Sequence, residues 1–177
     1  AVSGAAFGTL NEVIGLYRSK DGIARPSRYE VVILPPTGSP TNPFTSALTV
    51  TDSARNVSLK CESISSPGRN IDTTPDTNIY GPTREVVQGF SFGQITGTFL
   101  CGSEMREKLL FENWQRLAYN PETWTMEYYN DYVGNIKIFQ LDEQDRRRYG
   151  VNLVECFPKT IAAQPIAYGS VNQVQTV

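Results

Sequence analysis

The sequence predicts a mainly β chain with one or two helices, an α+β fold. Three observations carry that prediction. Residues 29–34, 135–141 and 150–156 are runs of β-branched and aromatic residues bounded by turn formers. Residues 103–118 place apolar side chains at helical spacing along one face. In the 135–141 run, Ile136 and Ile138 share one face while Phe139 and Leu141 share the other, the pattern of a strand covered on both sides.

The elements follow in order within a single domain spanning 1–177. Residues 1–22 form an N-terminal arm and a short helix. The first eight are small and Gly-rich. Thr9 then opens a capping box with Glu12, ahead of an apolar stripe of Leu10, Val13, Ile14 and Tyr17. Asp21-Gly22 ends the helix. Tyr29 to Leu34 is a strand closed by Pro35-Pro36. Residues 35–56, rich in Pro, Ser and Thr, are expected to be a long loop. Residues 57–64 alternate as a half-buried strand, which Ser66-Pro67-Gly68 breaks. Residues 67–84 are expected to be a second long loop. Residues 85–100 regain strand character, with bends at Gly89, Gly93 and Gly97.

Ser103 is the expected N-cap of the main helix, with Glu104 favourable to its dipole. Leu110, Trp114, Leu117 and Ala118 form its buried face, with Met105 and Leu109 beside it. Arg106, Glu107, Lys108, Glu112 and Arg116 are expected on its solvated face, paired at helical spacing. Asn120-Pro121 stops the helix. A hairpin follows, with strands at 132–141 and 149–156 around the charged tip 142–148. No repeat period appears.

Composition narrows the function classes. The 177 residues are 40% hydrophobic and 19% charged, an ordinary globular balance without a long apolar run. Residues 1–20 lack the basic start and apolar block of a secretion signal. Ala1 is a residue before which an initiator Met is commonly removed. A net charge of −2 does not suit a protein that grips duplex DNA, because phosphate neutralisation supplies most of that affinity. DNA as passing cargo fits. The absence of histidine removes the commonest general base and zinc ligand. Cys61, Cys101 and Cys156 are far apart and form no CxxC pair, so free buried thiols are expected, with an intersubunit disulfide as the alternative.

The motifs yield no chemical site. Asp142 to Arg148 is a salt-bridging turn before it is a metal or phosphate site. Gly89, Gly93 and Gly97 lack the Lys and helix of a phosphate loop. Trp114 belongs to the core, and Trp124 to an aromatic loop with Tyr128 and Tyr129. The expected catalytic, cofactor-binding and metal residues are none. Three classes of function stay open on the residues: a structural subunit, a β-sandwich that binds a ligand through 35–56 and 67–84, and an enzyme.

An ordered set of landmarks favours the first. Residues 24–31 lead into the first strand, and 61–68 form a strand and turn. A helix carries Phe111 and Trp114. Then come the Phe157-Pro158 step and the closing stretch from Tyr168 to Val177. This order resembles the tail tube proteins of contractile-tailed (myovirus-type) bacteriophages. The resemblance implies two packed antiparallel sheets, a sandwich or barrel with a flanking helix. It implies hexameric rings stacked into a tube that delivers the genome, and no enzyme activity or cofactor. Implied partners are further copies of the chain, the tail sheath protein, a ruler protein, baseplate and terminator proteins, and double-stranded DNA as transient cargo. The location implied is the virion tail, assembled in the host cytoplasm without a membrane anchor. A baseplate-proximal tube initiator or a secretion-type tube protein shares the fold. In the family, the stretch matching 174–177 begins a further strand. Loops 35–56 and 67–84 are expected to touch other rings or the sheath. The channel wall is expected to be polar and neutral to acidic, with Arg146, Arg147 and Arg148 turned away or neutralised by Asp142, Glu143 and Asp145.

Overall fold

The computed structural model describes residues 9–19, 23–37, 51–78, 80–169 and 173–177. In chain order its elements are α1 (Leu10–Arg18), β1 (Tyr29–Leu34), α2 (Thr51–Leu59), β2 (Cys61–Ile64), β3 (Arg69–Asp76), β4 (Arg84–Phe92), β5 (Gly97–Phe99), α3 (Arg106–Ala118), β6 (Tyr119–Asn120), β7 (Thr125–Met126), α4 (Tyr129–Tyr132), β8 (Gly134–Leu141) and β9 (Arg147–Cys156). The chain is mainly β with helices, as its patterns predict.

Two antiparallel sheets supply one core. The larger has the order β1-β8-β9, with Val31 opposite Ile138 and Ile138 opposite Val151. The smaller pairs β2 with β5. The last residues extend it: Phe99 N–H donates to Val177 O at 2.7 Å, and Val177 N–H donates back at 2.9 Å. Within 174–177, Thr176 forms an isolated antiparallel bridge with Leu100. No barrel closes among the described residues, and β9 has a strand partner on one side only.

The core gathers Val31, Ile33, Val57, Phe99, Leu110, Trp114 and Leu117. Trp114, with 1% of its surface exposed, is the centre. Its indole N–H donates to Tyr132 O at 2.7 Å, which satisfies the one polar atom it buries. Gly134 is required beside it. A Cβ there would lie 2.6 Å from the indole ring and 2.7 Å from Leu34 O.

Local signals hold where they are self-contained. At α1, Thr9 Oγ1 accepts from Glu12 N–H and Glu12 Oε2 accepts from Thr9 N–H at 2.8 Å, the capping box the sequence predicts. The arm at 1–8 and the Asp21-Gly22 stop lie outside the described residues. So do 38–50, most of the first expected loop.

Five expectations are corrected. Residues 57–64 are not one strand: α2 runs through Leu59 before β2 begins at Cys61. Ala54 and Val57, one helical turn apart, are both buried, and Ser58 Oγ accepts from Ile33 N–H at 3.0 Å while donating to Ala54 O at 2.7 Å. Alternation and helical spacing coincide over so short a run, and contact with β1 decides between them. The end of the expected loop 35–56 is therefore helix α2, which packs into the core. Nor is 67–84 a loop throughout, because 69–76 pair with β4 as strand β3. Its Pro, Thr and Asp content reads as turn, but an apolar partner strand overrides it.

The main helix begins at Arg106 rather than after Ser103, with Met105 in the left-handed region at φ 51°. Glu107 explains this start and is the fifth correction. It lies not on the solvated face but buried, at 3% exposure. Its carboxylate pairs with Lys60 and accepts from Gly102 N–H at 2.9 Å. Burial raises the Glu107 pKa, but the Lys60 and Gly102 hydrogen bonds outweigh it and hold the carboxyl below its ordinary value.

Candidate assembly surfaces

Strands β3 and β4 form a two-faced hairpin. The register sets Arg69 opposite Phe92, Ile71 opposite Phe90 and, past a bulge, Thr73 opposite Val87. Ile71, Val87, Phe90 and Phe92 therefore share one face. The Phe90 and Phe92 rings meet edge-on at 5.4 Å, and the Arg69 guanidinium lies over Phe90 at 5.2 Å. The opposite face is polar: Ser91 Oγ donates to Asp72 Oδ1 and Thr74 Oγ1 to Gln88 Oε1. An amphipathic hairpin normally lays its apolar face on its own core. Here Phe90 is 60% and Phe92 62% exposed, and every residue of β4 except Gly89 is exposed.

A second aromatic surface sits on the β6–β7 turn. Asn120 Oδ1 accepts from Glu122 N–H at 2.9 Å, and Trp124 N–H donates to Asn120 O at 3.0 Å. Trp124 adopts φ 56°, a conformation that costs a bulky residue. Its ring is 76% exposed, edge-on to Tyr119 at 6.2 Å, with exposed Met126 and Tyr128 beside it. Sequence reading placed Trp124 in an aromatic loop, which matches this turn. Helix α1 is a third surface, with no residue buried and Leu10, Leu16 and Tyr17 all exposed.

The fourth surface is β9 and its charged tip. Along ten residues β9 keeps its outer edge unpaired among the described residues, a length that sheet proteins ordinarily cover. The tip folds on Asp142, whose Oδ1 accepts from the N–H of Gln144 at 2.8 Å and of Arg146 at 2.9 Å. The Arg146 N–H, the Gln144 N–H and the Arg148 side chain hold this carboxyl below its ordinary range. Arg148 pairs with Asp142 at 3.0 Å, and Arg147 grips Glu30 through two hydrogen bonds of 2.7 and 3.0 Å while stacking over Phe139. Arg28 pairs with Asp145 at 2.8 Å and Arg25 with Glu143 at 3.1 Å. The arginine run is thus neutralised in part by its own subunit, and Glu30 is a partner the sequence did not suggest. Arg146 makes no ion pair among the described residues. A cleft of about 190 Å³ lies along this seam between the tip and residues 23–28.

The three cysteines are free and half-buried, and burial raises each thiol pKa. Among the described residues no cluster of His, Cys, Asp and Glu could hold a metal ion, and no helix is long and apolar enough to cross a membrane.

An outward apolar hairpin, an exposed tryptophan and an open strand edge are surfaces suited to contact with other chains. A sequence-family model described as phage tail tube protein matches residues 24–177. The chain belongs to the phage tail tube protein family. It is a structural component of a phage virion that assembles with itself into a tube. A search of curated proteins found no match.

Proposed function

We propose that the chain forms hexameric rings that stack into the tube of a contractile tail, through which the genome is delivered. The exposed apolar face of the β3–β4 hairpin carries this reading. Burying a large apolar side chain contributes roughly 1.5–3 kcal/mol, and the single subunit leaves that contribution unrealised at Ile71, Val87, Phe90 and Phe92. The open edge of β9 suits ring closure, since pairing with a neighbouring strand satisfies its backbone groups. The hairpin suits contact between rings. Each contact is weak, but every subunit touches ring neighbours and stacked neighbours together.

The role is structural, not enzymatic, within one domain. The sheath protein would surround the tube, a ruler protein would set its length, baseplate and terminator proteins would cap its ends, and assembly would take place in the host cytoplasm. A channel that passes DNA must not hold it. The pairing of Arg147 and Arg148 with Glu30 and Asp142 removes free cations that six-fold repetition would multiply.

Negative-stain microscopy of the purified protein tests the proposal. Hollow tubes of stacked six-fold rings are expected. Isolated rings that never stack favour a tube initiator. A dispersed monomer at high concentration contradicts the proposal and favours a ligand-binding module.

A further inference from the structure

We infer that the Trp124 turn is the receptor for the β3–β4 hairpin of a copy in the adjacent ring. The inference rests on the stacked-ring reading above and names the surface that the hairpin meets.

The two surfaces are rooted in different parts of the body. Tyr29 Oη, at the start of β1, donates to Cys61 O at 3.0 Å, which fixes the start of β2, and residues 65–68 join β2 to the hairpin. Leu34 O, at the end of β1, lies against the Gly134 backbone beside the Trp114 ring. Trp114 donates to Tyr132, and Glu127 N–H donates to Ala118 O at 3.4 Å, so the 119–128 turn is rooted at the end of α3. Two different apolar surfaces on one subunit make a heterologous arrangement: each copy offers its hairpin to one neighbour and its turn to another. Repetition along an axis then covers both surfaces at every level except the two ends.

The chemistry of the two surfaces is complementary. The hairpin presents Ile71, Val87, Phe90 and Phe92 with Arg69 at one border. The turn presents the exposed Glu122, and residues 119–132 contain no Lys or Arg. Arg69 can therefore meet an acid and an aromatic face together. The Trp124 backbone is preorganised: its N–H donates to Asn120 O, Asn120 Oδ1 accepts from Glu122 N–H, and its ring meets Tyr119 before any partner arrives. A pre-fixed, exposed tryptophan loses little conformational freedom on binding, which is the property of an interface anchor. Its left-handed backbone is a cost without return in the isolated subunit, and docking supplies the return.

Two experiments test this. In the first, a photo-reactive benzoylphenylalanine replaces Trp124 in the full chain, and tubes are irradiated and mapped by mass spectrometry. Cross-links to peptides covering 69–76 or 84–92 of another copy are expected. Cross-links confined to other segments, or none from intact tubes, would overturn the receptor while leaving the tube reading in place. In the second, Trp124→Ala and the double variant Phe90→Ser/Phe92→Ser are assembled separately and mixed. Each alone should need about tenfold or more protein to elongate. Mixed, a ring of Trp124→Ala copies still offers hairpins and a ring of the double variant still offers turns. Paired rings that stop at two are the expected product. Normal elongation by Trp124→Ala alone, or no paired rings in the mixture, would overturn the inference. Failure of the unaltered chain to form rings or tubes would remove the stacked-ring reading and this inference with it.

Discussion

Two phenylalanine pairs separate the body of this protein from its hairpin. Phe99 and Phe111 meet at 5.1 Å in the core, and Phe90 and Phe92 meet at 5.4 Å on the outside of β4. The ring contacts are alike, but their surroundings are opposite. Phe99 is covered by α3, β2 and Val177 of its own chain. Phe90 and Phe92 meet each other and Arg69 and stay 60% and 62% exposed. The body is stabilised by folding. The hairpin, two-stranded and marginal alone, is stabilised by assembly in the proposed tube. Substitutions in the two regions should therefore separate stability from tube formation.

The largest effect on the subunit is expected from Trp114→Ala. It removes the central buried ring and leaves Tyr132 O without its donor, for a loss of about 3–5 kcal/mol in denaturant unfolding. A loss below about 1 kcal/mol would show that this residue does not anchor the body. Next comes Gly134→Ala, where the added methyl overlaps the indole and a backbone oxygen. A loss of about 1–3 kcal/mol is expected by the same measurement.

Glu107→Gln should cost about 1–2 kcal/mol near neutral pH, a modest figure because Lys60 stays partly solvated. Its pH dependence is the sharper test. The folded pKa lies below the unfolded one, so this stabilisation is present above the unfolded carboxylate pKa of about 4.3 and is lost as pH falls through the folded value. Thermal melts should show the unaltered chain losing its advantage over Glu107→Gln across that acid range. An advantage that persists at the lowest pH would contradict the pairing. The smallest effect on the subunit belongs to Phe90→Ser/Phe92→Ser, within about 0.5 kcal/mol. Sedimentation should nevertheless show tube formation shifted to about tenfold or more protein. Unaltered tubes, or a subunit that unfolds, would erase the distinction between the regions.

Much of the body was legible in the sequence because its signals are local. The Thr9–Glu12 box, the Tyr29–Leu34 run, the 135–141 and 150–156 hairpin strands and the Trp114 face each announce themselves within a few residues. The misread elements depend on distant partners. α2 is helical because Val57 and Ser58 meet β1, β3 is a strand because β4 pairs with it, and Glu107 is buried because Lys60 lies opposite. The assembly surfaces were the least legible part. Period-two spacing shows that Phe90 and Phe92 share a face, but not whether that face turns toward its own core or toward another copy. Trp124 gave a partial signal, an aromatic just beyond an Asn-Pro turn, yet its left-handed backbone appears only in the fold.

The most direct test of the central distinction is amide hydrogen exchange, compared between free subunits and assembled tubes. Amides of β1 and α3 should be protected in both states. Amides of 69–76 and 84–92 should exchange rapidly in the free subunit and become protected in the tube. Hairpin amides that are already protected in the free subunit, or that stay unprotected in the tube, would contradict the account.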